Sequence, residues 1–142
     1  MVSVLFDTNI LIDHFAGIKE ATAELERYED VAIASITWLE LLSGAGPHEL
    51  RDMRDYMSHF TVYDLDDVIA EEAAAIRRSA REAGLKVLKS PDAIILATAR
   101  YTGRILVTRN PKDFNGIGVH LPYTLLRDQA TGQIFVETKA PI

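Results

Sequence analysis

Val2-Ser3-Val4-Leu5-Phe6 runs directly into Asp7-Thr8-Asn9, and then into Ile10-Leu11-Ile12-Asp13-His14-Phe15. The first five residues are short and almost wholly apolar, which reads as a strand buried on both faces. The polar triplet ends that strand, and from Ile10 to Phe15 the apolar positions suit a helix. A buried strand, a polar turn carrying an acid and a helix is the opening unit of an alternating α/β chain.

The same unit recurs along the sequence. Ile18 to Tyr28 reads as a helix rich in Ala and Glu. Val31 to Ile36 is a second apolar strand. Thr37 to Ser43 is helical and stops at Gly44-Ala45-Gly46-Pro47, and His48 to His59 is a polar amphipathic helix. Phe60 to Tyr63 is a weaker third strand. Asp66 to Ala83 carries Val68, Ile69, Ala73, Ile76 and Ala80 at helical spacing and ends at Gly84, a C-terminal cap signal. Ser90-Pro91-Asp92 opens another helix in the order cap, proline, acid. Ile105 to Val107 is a fourth strand, and Ile117 to Leu121 a fifth. Continuous rather than alternating apolar strands predict a parallel sheet covered on both faces. The fold class is therefore α/β, a three-layer α/β/α sandwich around a mostly parallel sheet of four to five strands. Beyond it, Asp128 to Gly132 is turn-like and Gln133 to Glu137 strand-like, so 1–122 reads as the main domain and 123–142 as an extension forming a hairpin or arm.

At 142 residues, 48% hydrophobic and 25% charged, the chain has the make-up of a single soluble domain. No apolar run approaches a membrane span and no signal-peptide pattern opens the chain, so a cytoplasmic protein is expected. The absence of cysteine excludes disulfides and thiolate-bound zinc. The net charge of −6 is unevenly spread: residues 1–76 hold 4 Lys/Arg against 16 Asp/Glu, whereas residues 77–112 hold 9 against 2. The basic stretch comprises Arg77, Arg78, Arg81, Lys86, Lys89, Arg100, Arg104, Arg109 and Lys112. It is either a solvated helix face or a track for a phosphate backbone.

In open α/β sheets, ligands bind beyond the carboxyl ends of the strands. Asp7 and Asn9 follow the first strand there. Glu40 lies on the helix after the second, Asp92 opens the helix before the fourth, and Thr108, Asn110 and Asp113 follow the fourth. Each acid has a plain structural explanation. Asp7 can cap the helix after it, Thr37-x-x-Glu40 has capping-box spacing, and Asp92 sits in a first helical turn. Those explanations do not account for acids converging on one sheet edge, where like charges repel unless a cation compensates. Oxygen-only ligands with no Cys and no nearby His suit Mg2+ or Mn2+, which activate water and neutralise charge on a phosphodiester.

Four collinear blocks sharpen this reading: Val4 to Asp13, Ser35 to Leu42, Pro91 to Ala99 and Ile105 to Phe114. Together they resemble the PIN domain family, and most closely its VapC-type toxins, the ribonuclease half of type II toxin–antitoxin pairs. The resemblance implies a Mg2+- or Mn2+-dependent endoribonuclease acting on structured RNA such as tRNA and leaving 5′-phosphate and 3′-hydroxyl ends. It also implies homodimerisation and inhibition by a small antitoxin. Asp7, Glu40 and Asp92 match the three core acids. Asn110 falls where many members carry a fourth acid or an Asn, and Asp113 is the neighbouring alternative. Thr8, Asn9 and Thr108 match residues that position the acids or metal waters. Arg77, Arg78, Arg81, Lys86, Lys89, Arg109 and Lys112 would contact RNA. Asp13 and His14 read as a solvent-facing or capping pair.

Two rival readings fit parts of the sequence. A phosphohydrolase with an aspartyl-phosphate intermediate would want Asp-x-Asp after the first strand, and Asn9 stands in the second position. A non-catalytic module is the other: a receiver-like domain would want an acceptor Asp after an apolar third strand, and a bind-only PIN-like domain would be expected to have lost core acids.

Overall fold

A computed structural model describes residues 1–116 and 118–142. Five strands, β1 (Ser3–Phe6), β2 (Asp30–Ala34), β3 (Thr61–Tyr63), β4 (Ile105–Val107) and β5 (Val119–His120), form one sheet in the order β3-β2-β1-β4-β5. Every pairing in it is parallel. The α/β architecture read from the sequence is thus present, with all five strands parallel. Around the sheet lie α1 (Thr8–Phe15), α2 (Lys19–Arg27), α3 (Ser35–Ser43), α4 (Leu50–Met57), α5 (Asp67–Glu82) and α6 (Ser90–Thr102).

Side-chain alternation along β1 explains why the strands read as unbroken apolar runs. Val4 and Phe6 point into a core with Ile10, Leu11, Leu25, Met53, Met57 and Phe60 from the α1–α4 side. Leu5 points the other way, into a core with Ile69, Ile76, Leu96 and Phe114 on the α5–α6 side. All three are fully buried. A strand sandwiched between helical layers has no polar face, so a period-two pattern is absent.

Some boundaries move. The second strand ends at Ala34, and Ser35 and Ile36 already belong to α3. Thr37 and Glu40 therefore lie inside that helix, not at its start, and the expected capping box does not form: the cap position is Ala34, with no side-chain bond. The last long helix begins one residue early, with Lys89 at the cap and Ser90 already helical. The expected fifth strand survives as Val119–His120, while Ile117 lies outside the described residues.

Helix α6 ends on Gly103, whose φ of +68° is the left-handed cap conformation, and a Cβ there would meet no atom within 4 Å. Gly103→Ala should therefore destabilise through backbone strain alone, by about 1–2 kcal/mol. A denaturant midpoint measured for both chains checks this, and an unchanged midpoint would contradict it.

Residues beyond the sheet form a separate antiparallel hairpin, β6 (Tyr123–Arg127) with β7 (Ile134–Thr138). Tyr123 is fully buried in the α1–α4 core, with Leu125 and Val136 packed against it. At the opposite, amino edge of the sheet, the Arg104 guanidinium meets Asp30 at 2.7 Å and the Val4 carbonyl at 3.1 Å. That member of the basic stretch is part of the scaffold.

Candidate active site

The parallel order places β1 between β2 and β4, which makes the junction of β1 and β4 a topological switch point where a crevice opens at the carboxyl edge. Asp7 leaves β1 there and caps α1, its Oδ1 accepting from the Thr8 amide at 2.7 Å. The capping explanation for Asp7 therefore holds, and the cap is also what aims its second oxygen across the switch point. The Thr108 hydroxyl, at the end of β4, donates to Asp7 Oδ2 at 2.8 Å. Thr108 Oγ1 in turn accepts from the Asn110 amide at 3.0 Å and the Asn9 side chain at 3.3 Å. Asn9 also accepts from the Arg109 amide at 3.3 Å, so its carboxamide ties α1 to the loop after β4.

Glu40 comes from α3. The Thr8 hydroxyl donates to Glu40 Oε1 at 2.7 Å. Having given its only proton, Thr8 Oγ1 accepts from the buried Thr37 hydroxyl at 2.8 Å. The Thr37-x-x-Glu40 spacing thus serves a chain of hydroxyls ending on a carboxylate. Asp92 enters from the first turn of α6. Asp113 lies on the 3₁₀ turn Pro111–Phe114, where Lys86 approaches it at 3.6 Å on the surface.

Electrostatics ties the four acids together. Burial pushes the Asp7 carboxyl up to about 6, against the hydrogen bond from Thr108, and the charges of Asp92 and Glu40 push it the same way. Burial likewise raises Asp92 to about 6, with Asp113 and Glu40 adding to the rise and Lys89 and Lys86 opposing it. Among the described residues, none of Asp7, Glu40 or Asp92 has a Lys or Arg within ion-pair distance, and no three His, Cys, Asp or Glu side chains close into a ready metal cage. The acids stand at repulsive rather than contact range. Hard oxygen donors, two of them desolvated and only partly offset by Lys86 and Lys89, suit a divalent cation of the Mg2+ or Mn2+ type.

Asn110 is exposed, and its side chain makes no hydrogen bond among the described residues; its amide, not its carboxamide, reaches Thr108. Asp113 is the residue of that pair whose charge bears on Asp92. Among the basic candidates, Lys86 and Lys89 lie close enough to act on Asp92, and Lys112 is exposed. Arg78 and Arg81 are exposed on α5, while Arg77 is half-buried with its Nε on the Leu88 carbonyl. Arg109 is differently engaged, through a fork to Asp13 at 2.6 and 3.1 Å.

That fork corrects the reading of Asp13. Far from facing solvent, it is buried, and it also accepts from the Tyr123 hydroxyl at 2.7 Å. Burial and the bond to Asp13 push the Tyr123 hydroxyl well above its ordinary range. His14 is half-buried, stacked on Tyr56 with ring centroids 4.2 Å apart and bonded to Thr22 at 2.6 Å. Thr37 and Tyr123 join this hydrogen-bond network unannounced by the sequence as site residues. The Thr37-x-x-Glu40 spacing announces a helix cap rather than a site, and a tyrosine in the C-terminal hairpin carries no motif.

The PIN domain family model matches residues 4–118. The chain is 29% identical over 128 residues to the tRNA(fMet)-specific endonuclease VapC of Shigella flexneri, covering 83% of this chain and 94% of that one. A toxin–antitoxin complex from Klebsiella pneumoniae contains a chain of 46% identity and TM-score 0.77, covering 86% of this chain and 99% of that one. DNA-bound VapBC from Salmonella typhimurium contains another, at 25% identity and TM-score 0.70, with 85% and 97% covered. With the family model spanning most of the sequence and the acid-bearing switch point in place, this chain belongs to the PIN domain family.

Proposed function

We propose that the protein is a metal-dependent endoribonuclease, the toxin of a toxin–antitoxin pair, acting in the cytoplasm on structured RNA such as tRNA. One observation carries the reading: Asp7, Glu40 and Asp92 reach the switch point from three separate elements, with Asp113 near Asp92, and burial with their mutual repulsion lifts Asp7 and Asp92 to about 6. Asp7, Glu40 and Asp92 would hold a Mg2+ or Mn2+ ion, with Asp113 rather than Asn110 as fourth acid. Such an ion, when bound, acidifies water and stabilises charge on the phosphodiester and its leaving oxygen. The chain's own residues do the positioning. Thr108 and the Thr8 amide fix Asp7. Thr37, acting through Thr8, fixes Glu40. Asn9 keeps the loop bearing Asn110 and Asp113 against α1. An acidic neighbour accepts the proton of the attacking water.

Lys86 and Lys89 act on Asp92, and exposed Lys112 lines a cleft with Asp113; they offer cations to the RNA backbone, with Arg77, Arg78 and Arg81 on α5. Reversing the charge of Arg78 and Arg81 together should weaken RNA binding and reduce the slope of log affinity against log salt by roughly one unit or more. A filter-binding series at several salt concentrations checks this, and an unaltered slope would mark α5 as a solvated face.

An inhibitory partner is favoured by an apolar groove of about 300 Å3 opening beside Glu40, lined by Ile12, Phe15, Leu41 and Met53. An amphipathic segment of a small antitoxin would bury it.

Sequencing of RNA ends after induced expression tests the reading. New 5′-phosphate ends should accumulate at defined sites with the wild-type chain and be lost with Asp92→Asn. Ends identical in both would overturn it. The phosphohydrolase alternative would be revived only by a phosphate trapped on Asp7.

A further inference from the structure

The hairpin β6–β7 lies outside residues 4–118 matched by the family model, yet it is bolted to the site. Tyr123, the first residue of β6, donates to Asp13 at 2.7 Å, and Asp13 grips Arg109 in the loop after β4. Between that loop and the chain entering β6 opens a cleft of about 490 Å3, in the size range of pockets that hold small ligands. Asn110, Pro111, Lys112 and Asp113 line it from the loop, and Leu121 and Thr124 from the hairpin side.

The lining has a definite chemistry. Pro111 and Leu121 offer apolar surface to a flat ring. The exposed Asn110 carboxamide, unbonded among the described residues, presents donors and an acceptor suited to the edge of a base. Lys112 is exposed and makes no ion pair among the described residues, leaving its ammonium for a phosphate. Asp113 joins the cleft to the acids, since its charge bears on Asp92. Beyond Thr124, alternation puts Leu126 on the same hairpin face, opposite Phe135. Phe135 is 48% exposed, an aromatic ring open to stacking by an unpaired base.

We propose that this cleft is a nucleotide subsite: it takes the base of a ribonucleotide flanking the scissile phosphodiester, with Phe135 stacking a neighbouring base, so that the C-terminal hairpin sets which RNA sequence is cut. The proposal rests on the ribonuclease reading above. A free cation and a base-reading amide directly beside carboxylates that act on a phosphodiester favour an RNA strand over a peptide.

The test uses a pool of short RNA stem-loops with randomised loop positions, incubated with the full chain and Mn2+, and sequencing of the cut ends. The wild-type chain should show a nucleotide preference at a position adjoining the cut. Thr124→Trp, which fills the cleft, and Phe135→Ala should each flatten that preference. Each should also lower kcat/KM on the preferred sequence by about tenfold, the loss expected when one base contact goes, while melting temperature and Mn2+ affinity stay as in wild type. Lys112→Ala should weaken all sequences alike. Preference retained in both Thr124→Trp and Phe135→Ala would overturn the proposal. So would an unchanged preference accompanied by loss of binding to a protein partner, which would make the cleft a peptide site. A wild-type chain that cuts no member of the pool would defeat the ribonuclease reading itself, and the subsite with it.

Discussion

Asp7→Asn is expected to abolish cleavage while making the protein more stable above pH 6. The Asp7 carboxyl sits at about 6 in the fold against 3.8 as its ordinary value. Between those values the folded chain keeps a proton that the unfolded chain has lost, so this group makes stability fall as pH rises. Above pH 6 the cost is fully developed, on the order of 3 kcal/mol. Asparagine removes that cost but loses one of two acceptor positions, worth roughly 1 kcal/mol. The variant should therefore melt higher than wild type at pH 7.5 by the equivalent of about 1–2 kcal/mol, with the advantage gone below pH 4. Activity should drop by on the order of 10²–10³-fold or more, the scale seen when a single stabilising group is removed from a reacting centre. Paired melting curves across pH and a cleavage assay check both halves. A variant less stable at every pH would mean that Asp7 carries no desolvated charge.

The second large effect lies away from the acids. Asp13→Ala removes the shared acceptor of Arg109 and Tyr123, leaving a guanidinium and a buried phenol without partners. Breaking a buried, hydrogen-bonded charge pair from one side costs about 3–5 kcal/mol. For a chain of this size that corresponds to a melting temperature lower by roughly 10–17 °C. Cleavage should slow as well, because Arg109 is the residue between Thr108 and Asn110. Asp13→Asn, which keeps the shape and one acceptor, should recover part of both losses. An Asp13→Ala chain that melts with wild type would show that the clamp contributes nothing to the fold.

Much of this arrangement was legible in the sequence because local and global signals agree. Val2 to Phe6 reads as buried on both sides because no polar residue but Ser3 interrupts it; in the structure Val2 is exposed, Val4 and Phe6 face one core, and Leu5 faces the other. A parallel sheet then sends every strand's carboxyl end to one edge, so Asp7 and Thr108 meet there without any long-range information. Capping boundaries were harder. Thr37 and Glu40 have the spacing of a capping box, but helix α3 takes over from β2 with no intervening loop, so both residues fall within it and their side chains turn to Thr8 instead. Asp13 was misread because a lone acid one turn into a helix has no visible partner. Its partners, Arg109 and Tyr123, are about a hundred residues away in sequence and meet it only through the topology. The basic stretch divided for the same reason: Arg104 went to the amino edge and Arg109 to Asp13, while Lys86 and Lys89 stayed within reach of the acids.

The central claim is that Asp7, Glu40, Asp92 and Asp113 act as one cation site. Calorimetric titration of Mn2+ into the wild-type chain and into Asp7→Asn and Asp92→Asn, at pH 6 in buffers of different ionisation enthalpy, addresses it directly. With Asp7 and Asp92 each near half-protonated at that pH, wild-type binding should release on the order of one proton. Each variant should bind at least about tenfold more weakly and release fewer protons. Equal affinity and equal proton release in all three chains would contradict the claim.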